Sequence, residues 1–389
     1  MINVENSSET LLALVSETNF IRNLGFSLLI IFTVLFSLIW PKWQALQWLI
    51  QAGLLWLLVI KVISQQLELN RPSQKQPIYE NLGWANRLTI LRGFLIAFTG
   101  GFILQLDISD KALLIPAFSY LIAAIIDRLD GYLARITKHE SLLGIQLDTE
   151  FDALGLLIAP LLAVWIGQIH WSYLLVSAAY YLFQSGLYWR NRQQKPVYQL
   201  PLNMSRRAVA GFQMGFLAVV LWPILAPPAT TIAGFAFMLP LLGGFVIDWL
   251  IVSGRINLEK PAISNFFKLA DKVTLQILLP IFRVIILCLV CLLIIKTNPL
   301  GSVFNDITFS KAILLLSLLL SSLMILLGVL GRFFAIILSC LLCWFFLSYE
   351  MHYLEIILLV LVIWVMQFGT GKFSLWLWDD RWVHRYDGS

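Results

Sequence analysis

Residues 127–155 read DRLDGYLARITKHESLLGIQLDTEFDALG and lie between two apolar runs, YLIAAII (120–126) and LLIAPLLAVWIG (156–167). This acidic stretch ends one candidate membrane-spanning helix and begins the next. The short connection between them predicts two antiparallel neighbouring helices whose polar ends lie together. Because unpaired charge beside lipid is costly, a chain that keeps so many carboxylates here must neutralise or use them.

The composition predicts a membrane protein. Hydrophobic residues make up 59% of the 389 residues and charged residues 13%, whereas a soluble globular chain is about a quarter charged. Apolar runs of about 20 residues recur, and each can cross a hydrocarbon core about 30 Å thick. We predict an all-α polytopic membrane protein with about 12 transmembrane helices, including spans near 112–129, 147–169 and 273–295.

Basic residues predict the orientation. They concentrate in alternate loops, while the loops between these carry few arginines or lysines. The positive-inside rule therefore predicts a multi-pass inner (cytoplasmic) membrane protein with the acidic stretch and both termini in the cytoplasm. Topology and attraction to anionic headgroups explain the net charge of +5, so no nucleic-acid partner is expected.

The aspartates of the acidic stretch have helical spacing. Asp127 and Asp130 are three residues apart, and Asp148 and Asp152 are four apart, so each pair shares a helix face. Both pairs can therefore converge at the membrane interface. Four such carboxylates repel one another unless cations lie between them, and Mg²⁺ or Mn²⁺ suits oxygen ligands. Two such ions form the clamp used for phosphoryl transfer.

A simpler interpretation is a loop of solvated charges at a helix end. Such a loop would not require Gly131 and Gly144 at fixed offsets from the aspartates. Glycine lets a backbone or ligand approach closely. We therefore favour a metal site over the solvated loop.

At every defining position this stretch resembles the D-x2-D-G-x2-A-R-x8-G-x3-D-x3-D motif of the CDP-alcohol phosphatidyltransferases. Upstream, NRLTILR (86–92) resembles the family's N-x-L-T-x-x-R segment. The resemblance spans about residues 84–255, which would supply the family's six-helix bundle. It implies an enzyme of phospholipid biosynthesis that joins a CDP-linked lipid, usually CDP-diacylglycerol, to a small alcohol and releases CMP.

The resemblance also implies roles for the matched residues. Two divalent ions, Mg²⁺ or Mn²⁺, would be held by Asp127, Asp130, Asp148 and Asp152, with Asp152 also the catalytic general base. The implied CDP-binding residues are Gly131, Ala134, Arg135, Gly144, Asn86, Thr89 and Arg92. Taken alone, the last three also fit a capped helix with a snorkelling arginine. A homodimer is implied as well, because family members are often dimeric.

The prediction of which alcohol is the acceptor depends on a weaker feature. Arg206 and Arg207 open another span at a place where many family members carry a basic cluster. They could bind the phosphate of glycerol 3-phosphate, our first expectation, or be ordinary cytoplasmic charge. Serine and inositol phosphate are alternative acceptors. A membrane transporter is the alternative class, because transporters also combine many spans with intramembrane acids.

We predict three domains: an N-terminal extension with two transmembrane helices (1–75), a CDP-alcohol phosphatidyltransferase-like domain (76–258) and a C-terminal four-helix membrane domain (270–389). Over about residues 273–375 the last domain resembles DoxX-like membrane proteins, through Arg283, Gly369, Gly371, Lys372, Ser374 and Leu375.

This region also contains both CxxC pairs, Cys288/Cys291 and Cys340/Cys343. Paired CxxC motifs can indicate zinc or thiol redox chemistry. Within apolar runs we interpret them as small hydrophobes.

Overall fold

The structure is a computed structural model that describes residues 2–200, 204–257, 260–297, 309–347, 351–376 and 378. These residues form helices and loops and contain no β-strand. The helices are α1 (Ile2–Ser37), α2 (Lys42–Gln65), α3 (Gly83–Gly100), α4 (Asp110–Ile136), α5 (Leu142–Trp165), α6 (Leu174–Arg192), α7 (Met204–Val220), α8 (Ala229–Val252), α9 (Pro261–Thr297), α10 (Phe309–Leu327), α11 (Gly331–Phe345) and α12 (Tyr353–Phe368). The predicted all-α fold with about twelve helices is confirmed.

Among the described helices, α1, α2, α4, α8 and α9 are long and apolar enough to cross a membrane. Helix α5 is also 24 residues long, but its first half carries Asp148, Glu150 and Asp152. The polar residues of the acidic stretch therefore lower the hydropathy of a helix that length alone would make a span. Large apolar side chains such as Leu54 and Leu239 are 62% and 56% exposed. A bilayer would cover such a surface.

Helix α3 is the central helix of the first compact unit, which comprises Met1–Gly167 and Met214–Pro223. It contacts α2, α4 and α5, and α1 packs on α2. At Gly93 of α3, an added Cβ atom would lie 3.0 Å from Phe151 of α5 and 3.0 Å from Val59 of α2. Because these neighbours bury most of α3, polar side chains on its buried faces need partners within the unit.

The second compact unit comprises Gln168–Gln213 and Ile224–Ser389. Its helices α9 to α12 form one bundle, and α12 also packs on α8. Trp364 and Gln367 of α12 each donate a hydrogen bond of 3.2 Å to the carbonyl oxygen of Ala236 on α8. The C-terminal helices are thus attached to a helix of the predicted transferase domain. The predicted three-domain division stays a prediction.

A buried arginine organises the C-terminal bundle. Arg283 of α9 is 3% exposed. It donates hydrogen bonds to carbonyl oxygens at the end of α10 and within residues 369–376, which we call the C-terminal segment; the acceptor residues are Ile325, Leu326, Thr370, Lys372 and Phe373. The hydroxyl of Ser374 also accepts from it, at 3.4 Å. At Gly371 φ is +70°, and a Cβ atom would lie 2.4 Å from the Leu275 carbonyl oxygen.

Several residues of the DoxX-like resemblance are therefore neighbours, namely Arg283, Gly371, Lys372 and Ser374. The resemblance itself stays a prediction. All four cysteines are free thiols, with Cys288 and Cys340 exposed. Exposed or partly buried thiols within apolar helices are compatible with their interpretation as small hydrophobes.

Candidate active site

Three helices of the first unit bring the predicted site together. Helix α3 supplies two polar residues, α4 supplies two aspartates from its last turns, and α5 supplies two from its first turns; the six residues are Thr89, Arg92, Asp127, Asp130, Asp148 and Asp152. The loop between α4 and α5 is short, and Ser141 caps α5 by accepting a hydrogen bond from the Gly144 amide at 3.0 Å. This cap fixes where α5 begins.

Three of the aspartates form a compact group. One carboxylate oxygen from each of Asp127, Asp148 and Asp152 lies within 4.8 Å of the others. We call these three residues the acid cluster. The side chain of Asp127 is 18% exposed, that of Asp148 is 51% and that of Asp152 is 38%. The cluster is therefore anchored on a buried side and open on the other.

Arg92 lies at the centre of the acid cluster. Its side chain is 3% exposed, and its Nη1 atom lies 2.7 Å from Asp127 Oδ1 and 2.8 Å from Asp148 Oδ1. Its Nη2 atom forms an ion pair with Asp152. Three carboxylates and one guanidinium leave an excess of two negative charges, because only one of the four groups is positive. A residue predicted to bind phosphate thus contacts the acids directly.

The acid cluster fits a divalent metal ion. Its three carboxylates converge, carry excess negative charge and are reachable from solvent through Asp148. Oxygen ligands of this kind are those that Mg²⁺ and Mn²⁺ prefer. The donor set therefore suits the cation class that the sequence predicts.

Asp130, the fourth predicted metal ligand, lies outside the acid cluster. Its side chain is buried, and Oδ2 accepts a hydrogen bond of 2.7 Å from the Thr89 hydroxyl. Its Oδ1 accepts from the Gly131 amide at 2.6 Å. Thr89, predicted to touch CDP, is thus the partner that orients Asp130. Three residues along α4 turn the side chain by about 60°, which directs Asp127 to the cluster and Asp130 to α3.

Asn86 connects the start of α3 to the loops around the site. It is 2% exposed, and its side-chain amide donates to Asn70 Oδ1 at 3.1 Å, Leu82 O at 2.8 Å and Ser141 Oγ at 3.1 Å. The sequence predicts CDP binding for Asn86, whereas these contacts give it a structural partner on each side. Ser141 was missed, although a serine before an apolar helical run is a recognisable cap. Nothing in the sequence singles out Asn70.

The segment before α3 also packs on the loop between α4 and α5. The ring of Tyr79 stacks on His139 with a centroid distance of 3.9 Å. Its hydroxyl donates to the Glu140 carbonyl oxygen at 3.3 Å, and the Leu142 amide donates to the Arg71 carbonyl oxygen at 2.9 Å. Residues upstream of the predicted transferase motif thus hold the motif's own loop in place.

The two motif glycines have different surroundings. A Cβ atom added at Gly144 would lie 2.7 Å from Asn86 Oδ1, whereas one added at Gly131 would meet only Arg135 Nη1, at 3.6 Å. Close packing against Asn86 therefore explains why residue 144 is a glycine, whereas the structure leaves space beside Gly131. Arg135 is exposed and Ala134 is partly buried.

Gly144→Ala is expected to lower the free energy of unfolding by about 1–3 kcal/mol, as overpacking does. Gly131→Ala is the matched control and should preserve or raise stability, because alanine favours a helix by about 1 kcal/mol over glycine. Thermal unfolding of the two purified variants measures the difference. Equal stability would contradict the packing assigned to Gly144.

Arg206 and Arg207 lie in the first turn of α7, which begins at Met204. Their side chains lie outside the described part of the structure. The acceptor-binding role predicted for them therefore stays a prediction.

A protein-family match covers the part of the chain that contains these residues. The model of the family described as CDP-alcohol phosphatidyltransferase matches residues 82–251, which are 170 of the 389 residues. The resemblance drawn from the aspartate motif is thus confirmed for this segment, which contains all of α3 to α7 and nearly all of α8. Members of this family transfer a phosphatidyl-type group from a CDP-alcohol to an acceptor within membranes, and they generally depend on divalent metal. No curated protein and no solved structure matches the chain.

Proposed function

We propose that this protein transfers a phosphatidyl group from CDP-diacylglycerol to a small alcohol and releases CMP, with two divalent ions as cofactors. The observation that carries the proposal is the convergence of Asp127, Asp148 and Asp152, from two helices, within the segment that matches the family. Stabilising the charges of the reacting phosphates is the main requirement of phosphoryl transfer. Carboxylates at a membrane interface lie where the diphosphate at the polar end of such a lipid would be.

The acid cluster would hold the metal ions, and Asp130 would join it only by leaving Thr89. Mg²⁺ or Mn²⁺, when bound, would neutralise the diphosphate and the departing CMP. Arg92 compensates part of the cluster's charge in the described structure. Its guanidinium is therefore a candidate for the phosphate contact predicted from the sequence once cations share the cluster.

Arg92→Gln provides a test of this charge balance that does not rely on turnover. Without the guanidinium three carboxylates face one another, so the variant should unfold at a lower temperature than wild type in chelator. Added Mn²⁺ should raise its unfolding temperature by more than that of wild type, because the ion replaces a missing charge. Arg135→Gln, which removes an exposed arginine of α4, is the control. Equal Mn²⁺ effects on all three proteins would argue against a metal in this cluster.

Asp152 is the proposed general base. Its carboxylate is 38% exposed, so an acceptor hydroxyl can approach it from the open side of the cluster. The acceptor oxygen would form a bond to the phosphorus that bears diacylglycerol, and the bond from that phosphorus to the CMP oxygen would break. The acceptor's proton would move to the Asp152 carboxylate, and CMP would keep the electron pair of the broken bond.

The open side of α4 beside the cluster is the proposed CDP site. Gly131 presents bare backbone there, and Arg135 projects its Nη1 atom past it. An anionic diphosphate would gain from this arginine. Gly131→Ala, which should fold normally, should then lower turnover by crowding the nucleotide; unchanged turnover would contradict CDP binding beside Gly131.

The acceptor is proposed to be glycerol 3-phosphate, from the basic pair Arg206 and Arg207. Serine and inositol phosphate would use the same chemistry. The test is to supply the purified protein with CDP-diacylglycerol, Mg²⁺ or Mn²⁺, and each alcohol in turn, and to identify products by mass spectrometry. A phosphatidyl product with one alcohol names the acceptor; no product with any of them would refute the proposed function. A transporter would instead move a solute across vesicles without forming CMP.

The location and assembly proposed from the sequence are an inner membrane with the site and both termini on the cytoplasmic side, and a homodimer. The acid cluster lies at the ends of α4 and α5, as a site at a membrane surface requires. Labelling of single cysteines introduced beside Lys138 and, as the opposite-side control, beside Asp107 tests the orientation. Labelling of the cysteine beside Lys138 from outside intact cells would contradict the proposed orientation.

A further inference from the structure

We propose that a groove on the other side of α3 binds one phospholipid of the surrounding membrane, with its phosphate at Arg87 and an acyl chain along α1. The groove has a volume of about 360 Å³ and is lined by α1, α2 and α3. Ligand sites usually measure about 300–1,000 Å³. The groove is therefore large enough for part of a lipid, and its lining is mostly apolar.

One end of the groove is polar. Glu17 Oε1 accepts hydrogen bonds from Arg87 Nε at 2.8 Å and lies 2.7 Å from Nη2, while Glu17 Oε2 accepts from the Leu82 amide at 3.1 Å. The Arg87 guanidinium also lies 5.1 Å from the ring centre of Trp84. Glu17 thus fixes the arginine at the mouth of the groove, and 38% of the arginine side chain remains exposed. The contacts with Glu17 use Nε and Nη2, so a lipid phosphate at this end could accept a hydrogen bond from Nη1 of the same guanidinium.

The rest of the groove is apolar and elongated. Along α1 its lining residues recur at helical spacing as Phe20, Ile21, Leu24 and Leu28, and Glu17 to Leu28 spans about 16 Å at the rise of an α-helix. Phe20 is 68% exposed and Leu24 is 49% exposed, so the groove is open along its side. A single polar end joined to a long, laterally open apolar channel has the shape of a phospholipid chain and headgroup.

The groove is separate from the acid cluster. On α3, Arg87, Leu91 and Phe94 share one face at i, i+4 and i+7 and line the groove, whereas Thr89 and Arg92 face the aspartates. Helices α1 and α2 precede the segment that matches the family. The groove is therefore built partly by the N-terminal helices, and a lipid there would join them to α3.

Native mass spectrometry of protein purified in mild detergent tests the proposal. Wild type should retain about one phospholipid per chain. Leu91→Trp, which fills the groove, should retain far less, while Leu54→Trp, at a position on α2 that is 62% exposed and outside the lining, should resemble wild type. Arg87→Gln should weaken phospholipid binding by about tenfold or more, the loss expected for a charge-assisted hydrogen bond.

A photoreactive amino acid at Leu24, with Leu54 as control, keeps the test decisive if Leu91→Trp folds poorly. After detergent purification, irradiation should give an adduct of phospholipid mass at Leu24 and little at Leu54. Adducts with phosphatidylglycerol, phosphatidylethanolamine and a free fatty acid are compared separately. No adduct at Leu24, equal retention by Leu91→Trp in a folded state, or preference for the fatty acid would overturn the proposal.

Discussion

Asp152→Asn is expected to lower CMP release by about 10²–10⁴-fold, the usual contribution of a general base. Asparagine has nearly the same shape but cannot take the proton of the acceptor hydroxyl. Because Asp152 is 38% exposed at the open side of the acid cluster, the change should leave the helices folded. Initial rates of CMP release by purified protein, with thermal unfolding measured in parallel, give the comparison.

Glu150→Gln is the matched control, since Glu150 lies on the same helix, outside the acid cluster, and accepts a hydrogen bond of 3.3 Å from Gln146. It should keep a rate near that of wild type. Full activity of Asp152→Asn would remove Asp152 from the role of base. Equal losses in both variants would indicate that the charge of α5 as a whole matters, not the position of one carboxylate.

Arg283→Met is expected to have the largest effect on stability. The guanidinium donates to five backbone carbonyl oxygens and one hydroxyl. Each buried acceptor left without a donor costs about 1–3 kcal/mol, so several losses together should release the C-terminal segment from the bundle. Hydrogen exchange of residues 369–376 and thermal unfolding measure the loss. Arg283→Lys should fall in between, because an ammonium cannot span the same set of acceptors.

Lys372→Met is the control for that change, because it also replaces a cation by methionine, now in the C-terminal segment itself. Lys372 is exposed, and its ammonium lies 5.1 Å from the ring centre of Phe373. Such a contact contributes about 0.5–1 kcal/mol at an exposed position, so exchange should change little. A C-terminal segment that stays protected in Arg283→Met would show that other contacts hold it.

The motif made much of the site predictable. Spacings of three and four residues place the aspartates of each helix on one face. The short connection makes the two helices neighbours, so Asp127, Asp148 and Asp152 face one another. The helix ends were less accurate. Hydropathy detects apolar residues and not hydrogen bonding, so the span predicted near 112–129 belongs to a helix that continues to Ile136. The span predicted near 273–295 belongs to one that begins at Pro261.

The contacts of Arg92 and Asp130 could not be derived from the sequence. They depend on how α3 is rotated against α4, which side-chain packing decides after the helices meet. That rotation places Arg92 among three carboxylates and Thr89 against Asp130. Likewise, the partnership of Asn86 with Asn70 joins a helix to a loop, and no periodic pattern predicts such a contact.

Metal-dependent CMP release is the most direct test of the proposed function. The purified protein, stripped with chelator, is given CDP-diacylglycerol and glycerol 3-phosphate, then Mg²⁺ or Mn²⁺, with Asp152→Asn alongside. The proposal predicts no CMP before the ion is added, and afterwards one CMP for each phosphatidyl product formed by wild type. If wild type releases no CMP with either ion, and also none when serine or inositol phosphate replaces glycerol 3-phosphate, the proposal is contradicted.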